Sequence, residues 1–243
     1  MRVAIVSDIH GNRHAFEAAL AAIAEAGLEE VWCLGDLVGY GAEPDACVAL
    51  AIEHCAVCLA GNHDLAVTGA LSLDDFSPGA AAAAQWTREV ISRGARNWLA
   101  GLASAGEVGG VSLYHASPRD PVWEYVLSLD VADACLDAAG GRISLIGHSH
   151  VALAFHRVPG VPAEGHRRAD GTAAALDSGE WLLNPGSVGQ PRDEDPRAAW
   201  LELDLEAGRA TWRRTEYDAG GAAAAIRAAG LPDRLAARLA EGR

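Results

Sequence analysis

The chain has 243 residues, half of them apolar, and a formal net charge of −14. That length suits one large domain with a substantial core, and that charge argues against general nucleic-acid binding, which needs a basic face. Every basic residue is Arg, which excludes a Schiff-base or phosphate-loop lysine within the chain, and no stretch reaches the length of a membrane span.

The apolar run Val3-Ala4-Ile5-Val6 opens the chain as a strand and leaves no room for a signal peptide. Five irregularly spaced cysteines do not suggest a disulfide framework, so a reducing, cytoplasmic setting is expected. Phe16, Ala19, Leu20 and Ile23 recur at helical spacing, and Gly27 ends that helix. Val31-Trp32-Cys33-Leu34 reads as a second strand, Pro44 to His54 as a helix, and Ala56-Val57-Cys58-Leu59 as a third strand. This alternation predicts a βαβαβ unit with parallel strands and right-handed crossovers. Cys55 and Cys58 have CxxC spacing, yet their place at the start of an apolar strand reads as two small buried hydrophobes.

From Leu65 to Ala105 the pattern is helical, with helices over Gly79 to Arg93 and Ala95 to Ala103. The segment is either a helical insertion beside the site or ordinary packing on the sheet. Strands return at Val108 to His115, Ile143 to Ile146, Val151 to His156, Trp181 to Leu183, Ala198 to Leu205 and Ala210 to Tyr217, with a helix near Val131 to Ala139. Val161 to Gly179, rich in Gly, Arg and Asp, reads as a mobile connection or a hairpin. Two short helices, Ala222 to Ala229 and Pro232 to Glu241, close the chain. Two strand sets flanked by helices predict an α/β chain of two packed sheets, forming one domain over residues 1–243.

Polar clusters stand where five of the apolar runs stop: Asp8-Ile9-His10, Gly35-Asp36, Gly61-Asn62-His63-Asp64, His115 and Gly147-His148-Ser149-His150. Ligands of open α/β sheets gather at the carboxyl ends of strands. Asp8 and His10, two apart, are aimed the same way by an extended segment, and His148 and His150 repeat that spacing. Oxygen and imidazole donors together suit Mn, Fe, Zn or Ni. Gly35 lets the carboxylate of Asp36 come close to an ion and bridge two, and Asn62 offers a neutral amide oxygen. Asp8, His10, Asp36, Asn62, His115, His148 and His150 supply enough groups for two metals. Two ions roughly 3.5–4 Å apart hold a hydroxide between them and clamp a phosphoryl group for in-line attack. His63, beside Asn62 but aimed differently, is then the natural general acid, and Asp64 could orient its ring or raise its pKa.

These motifs resemble the calcineurin-like metallophosphoesterase superfamily, whose signature runs DxH, GD, GNH[DE], H, GHxH. Asp8-Ile9-His10-Gly11-Asn12, Leu34-Gly35-Asp36, Gly61-Asn62-His63-Asp64 and Gly147-His148-Ser149-His150 match it. Asn184-Pro185-Gly186-Ser187-Val188-Gly189 matches a further segment of the small bacterial and archaeal phosphodiesterase-like branch. The resemblance implies a four-layer αββα sandwich of two mixed sheets. It also implies that Asp8, His10, Asp36 and His150 hold one divalent ion, that Asp36, Asn62, His115 and His148 hold the other, with manganese favoured, and that His63 is the acid. The expected activity is hydrolysis of a small phosphoester, a diester by branch resemblance. The rivals are a phosphomonoesterase acting on proteins or nucleotides, and a non-catalytic scaffold similar to a retromer subunit that lacks the histidine corresponding to His63.

The sequence departs from the protein phosphatases of the superfamily in one respect. Their GDxxDRG carries a phosphate-holding Arg, and Gly35-Asp36-Leu37-Val38-Gly39-Tyr40-Gly41 does not. Arg119 and Arg192 follow motif segments and either bind substrate phosphate or lie solvated on the surface. Tyr40 could stack on a base or cover the site, and Asn12 either caps the following helix or touches substrate.

Overall fold

The computed structural model describes residues 1–243. The βαβαβ unit is present: β1 (Arg2–Val6), α1 (Arg13–Glu25), β2 (Val31–Cys33), α2 (Pro44–His54) and β3 (Val57–Cys58), with β1, β2 and β3 parallel. Three helices follow, α3 (Asn62–Thr68), α4 (Pro78–Val90) and α5 (Arg93–Leu99). The first of them starts inside the GNHD cluster, because the Asp64 carboxylate accepts from the Gly61 N–H and caps the turn.

Where one strand was expected over 108–115, a hairpin forms: β4 (Ala105–Val108) and β5 (Val111–Tyr114). Its tight turn is Gly109-Gly110, both with positive φ, as a two-residue hairpin loop requires. Then come α6 (Leu129–Ala138), β6 (Ile143–Leu145), β7 (Ala152–Arg157), β8 (Glu164–Arg167), β9 (Ala173–Ala175), β10 (Glu180–Pro185), β11 (Ala198–Asp204) and β12 (Arg209–Thr215). The 161–179 segment is not a hairpin with itself. Its two short strands pair with different partners, β8 with β7 and β9 with β12, so it joins the edges of two sheets. Its polar composition hid them, since edge strands need bury little. The chain ends in α7 (Ala219–Ala228), α8 (Asp233–Ala237) and a 3₁₀ turn, Arg238–Ala240.

The strands form two mixed six-stranded sheets, β3-β2-β1-β11-β12-β9 and β4-β5-β6-β10-β7-β8. Alternation in β1 shows how they layer. Val3 and Ile5 enter the core between the sheets with Trp32, Leu113, Leu145, Leu183 and Trp212. Ala4 and Val6 face the other way, onto Phe16, Ala19 and Ile23 of α1 and Val48 and Ala51 of α2. On the far side of the second sheet, Leu182 and Phe155 pack against Ala132, Cys135 and Leu136 of α6. The result is the expected αββα sandwich. A smaller core, with Ala222 and Ile226 of α7, Leu235 of α8 and Leu239, docks the C-terminal helices onto Ala83 of α4.

Candidate metal centre

The five polar clusters converge because their loops bond to one another at one edge of the sandwich. The Asp8 N–H donates to the Gly35 carbonyl at 3.0 Å, that of His10 to the Asp36 carbonyl at 2.9 Å, and that of Gly147 to the His115 carbonyl at 2.7 Å. Residues 184–189, matched in sequence without an assigned role, tie these loops together. Asn184 Nδ2 donates to the Gly147 carbonyl at 2.7 Å and to Ser149 Oγ at 3.1 Å, and Ser187 Oγ donates to the Asp8 carbonyl at 2.7 Å.

The DxH and HxH segments are not extended, which corrects the geometry read from their spacing. Asp8, His10, Asp36, His148 and His150 all lie in the left-handed region, with φ between 52° and 61°. A non-glycine residue there costs roughly 1–2 kcal/mol. The loop-to-loop bonds hold the strain in place, and such strain concentrates at functional sites.

The ligand atoms fall into two groups, Asp8, His10, Asp36 and His150, and Asp36, His115 and His148; within each, every donor atom lies within 4.8 Å of the others. Asp36 belongs to both. His115 Nε2 lies 3.3 Å from Asn62 Oδ1 and 3.6 Å from Asp36 Oδ2, which brings Asn62 to the second group. The histidines are oriented from behind. Nδ1 of His10 meets the Val38 carbonyl at 3.2 Å, Nδ1 of His115 the Leu34 carbonyl at 3.0 Å, and Nδ1 of His150 the Gln190 carbonyl at 2.7 Å. A proton on each Nδ1 leaves Nε2 as a lone pair facing inward.

Buried, inward-facing acceptors without donors are costly. Asp8 Oδ1, Asp36 Oδ2 and His148 Nε2 are buried with no hydrogen-bond partner. Burial pushes the Asp8 carboxyl up to about 7. It also raises Asp36, with the Asp64 charge adding to the effect, and holds His10, His148 and His150 well below the usual imidazole range. Cations placed among these atoms would satisfy every one of them, so the residues present fit two divalent ions.

His63 stands apart from the ligands. Its ring packs against Tyr40 at 4.4 Å, His10 at 4.9 Å and Phe76 at 5.1 Å between centroids. Its Nδ1 is buried against Gly39 with no partner. Gly39 has φ +87° and a Cβ there would come within 2.4 Å of that nitrogen, so only glycine fits. Burial, then Arg192, pushes the ring down to about 3.

Asp64 does not touch the His63 ring, contrary to its expected role. Its oxygens accept from the N–H groups of Leu37 at 3.3 Å, Val38 at 3.1 Å and Gly61 at 2.9 Å, which fastens the Asp36 loop to α3. Asn12 is also structural: Oδ1 accepts from the Ala15 N–H at 3.1 Å as the cap of α1, and Nδ2 donates to the Gly189 carbonyl at 2.9 Å. Arg119 lies outside the cavity, paired with Glu124 at 3.6 Å on the surface.

Tyr40 and Arg192 do line the cavity over the cluster, which encloses about 390 Å³. It has further walls that the sequence did not reveal: Phe76, Trp123, Tyr125 and Arg238. Phe76 meets Trp123 edge-on at 5.0 Å, and Tyr125 stacks on His148 at 4.1 Å. Three aromatics in irregular loops carry no periodic signal. Arg238 reaches the cavity only because the C-terminal helices fold back over α4.

Two ligand groups sharing one carboxylate, buried at the strand ends of a two-sheet sandwich, define a dinuclear metal hydrolase. The domain model of the calcineurin-like phosphoesterase superfamily matches residues 1–206, and the chain belongs to that superfamily, in its small bacterial and archaeal branch. It is 38% identical to a metallophosphoesterase from Sphaerobacter thermophilus, with a TM-score of 0.89 over 100% of this chain and 99% of that one. An uncharacterized protein of Methanocaldococcus jannaschii is 36% identical over 99% of this chain and 98% of its own length. A hypothetical protein of Pyrococcus horikoshii shares the fold, with a TM-score of 0.80 at 19% identity over 100% of this chain and 98% of that one. No helix is long and apolar enough to cross a membrane.

Proposed function

We propose that this chain is a phosphodiesterase that works through two divalent ions, manganese favoured, as one domain over its 243 residues. The observation that carries the reading is Asp36, whose Oδ2 is buried, unpartnered and common to both ligand groups. Asp8, His10, Asp36 and His150 would hold one ion, and Asp36, Asn62, His115 and His148 the other. When bound, such a pair supplies a hydroxide nucleophile at neutral pH and Lewis-acid stabilisation of the phosphoryl oxygens.

The chain's own residues supply the rest. His63 lines the cavity beside the cluster, so its ring is placed to give a proton to the leaving oxygen. Burial, then Arg192, favours the neutral ring. An anionic phosphoryl group brought against it offsets the Arg192 charge and favours the protonated form. Tyr40 and Arg192 wall the same cavity and hold the phosphoryl group in place. Cavity walls beyond the ligand set, Phe76, Trp123 and Arg238, support the diester reading. Five free cysteines suit a cytoplasmic setting.

The test compares bis(p-nitrophenyl) phosphate with p-nitrophenyl phosphate in added manganese. Higher kcat/KM on the diester is expected, and faster turnover of the monoester would replace this reading with a phosphomonoesterase.

A further inference from the structure

The cavity over the metal cluster continues past Tyr40 into a second recess of about 300 Å³. Tyr40, Ser77 and Arg238 line both, and Gly79, Arg234 and Arg243 line the second alone. Several independent features mark the recess as a place for an anion.

None of its arginines is paired with an acidic side chain. Arg192, at the mouth, donates to Gln190 Oε1 at 3.0 Å and Tyr40 Oη at 3.4 Å, and its Nε is buried with no partner. Arg238 donates through Nε to the main-chain oxygen of Arg243, which in the 243-residue chain belongs to the terminal carboxyl. Burial, then the neighbouring Arg192 and Arg234, lower its pKa, against an opposing influence from Tyr40. Asp36 and the exposed Asp75 share the metal cavity with Arg192 and Arg238, and no carboxylate side chain lines the recess itself. Like charges gathered in a half-buried recess repel unless an anion joins them.

Arg234 occupies an unusual position. Its guanidinium lies so close to Gly79 that a Cβ there would come within 2.1 Å of Nη2. Gly79 is in the first turn of α4, a helix of 13 residues, where the macrodipole is positive. A cation on that end is unfavourable alone, and an anion beside the guanidinium, on its recess side, offsets the positive charge of both.

The placement follows from helical spacing. Leu235 and Leu239 are buried against α4 and α7. Arg234 and Arg238, also four apart, share the neighbouring face and look over the recess. All four lie beyond residue 206, outside the part of the chain that the superfamily model matches.

We propose that this recess is a second anion subsite, and that the substrate is a phosphodiester carrying a second phosphate group. One phosphate sits at the metal centre, where Arg192 meets it, and the other against Arg234 and Arg238 in the recess. The substrate class rests on the phosphoesterase reading above; the subsite does not, because binding can be read without turnover.

Calorimetry on the manganese-loaded full chain would compare adenosine 5′-(α,β-methylene)diphosphate with adenosine 5′-monophosphate. Wild type should bind the diphosphate analogue roughly tenfold tighter. The Arg234→Ala/Arg238→Ala double variant should bring the ratio close to one. Arg238→Lys keeps the charge and should keep most of it. Arg234→Ala alone, at an exposed position, should lower the ratio part-way and does not depend on the double variant folding. A ratio near one in wild type, or an unchanged ratio in the single and double variants, would overturn the subsite. A chain that turns over no phosphoester yet shows the ratio and its loss would refute the activity and keep the subsite.

Discussion

Nε2 of His10 and Nε2 of His150 face each other at 3.0 Å, and the Nδ1 atom of each is engaged by a backbone carbonyl. With protons on both Nδ1 atoms, two lone pairs meet with no hydrogen between them, and Asp8 Oδ1 lies 3.3 Å from His150 Nε2. A cation removes the conflict. Chelation should therefore lower Tm and manganese should restore it. At a free metal concentration a hundred times Kd the stabilisation is about 2.7 kcal/mol. Thermal melts with and without chelator check this, and identical melting temperatures would contradict it.

Asp36 should matter to both ions. Asp36→Asn keeps the bond from the His63 N–H to Oδ1, now 2.9 Å long, if the amide oxygen takes that position, but it loses the charge at Oδ2. Metal analysis should show both sites depleted. Full occupancy in the variant would remove Asp36 as a bridge.

The acid role of His63 separates from metal binding. His63→Ala should retain metal and lose about a hundredfold or more in kcat on an alkyl diester, with a smaller loss on a p-nitrophenyl ester, whose leaving group needs no proton. Equal losses on both would point to a positioning role.

Gly39→Ala tests the same ring from behind. Its φ of +87° and the 2.4 Å approach to His63 Nδ1 force either the ring or the loop to move. A drop of roughly tenfold or more in kcat is expected, with metal content kept. Unchanged kcat would show that the ring has slack.

Asn184→Ala removes the donor to the Gly147 carbonyl and to Ser149 Oγ, both buried around the GHxH loop. A loss of about 1–3 kcal/mol by urea unfolding is expected, together with weaker metal retention.

How far the site was legible depends on which physical signal each residue carries. Asp8, Asp36, His115 and His148 could be found because a polar residue ending an apolar run needs only strand periodicity to be noticed. Their left-handed backbone could not, since non-glycine residues adopt it only under tertiary restraint. Asp64 looks in sequence like a partner for its neighbour His63, but its three N–H donors are Leu37 and Val38, 27 and 26 residues earlier in one loop, and Gly61 of its own helix turn. Arg234 and Arg238 read as ordinary polar positions of a short helix. Only the docking of Leu235 and Leu239 on α4 turns them toward the site. The hairpin at Gly109-Gly110 was lost inside one apolar run, and β8 and β9 are edge strands too short and polar to alternate visibly.

The most direct measurement is the initial rate on bis(p-nitrophenyl) phosphate as manganese is added, in equivalents, to metal-free protein. Two ions sharing Asp36 predict that turnover rises with the second equivalent and saturates near two per chain. Full turnover at one equivalent, or none at two, would contradict a dinuclear phosphoesterase.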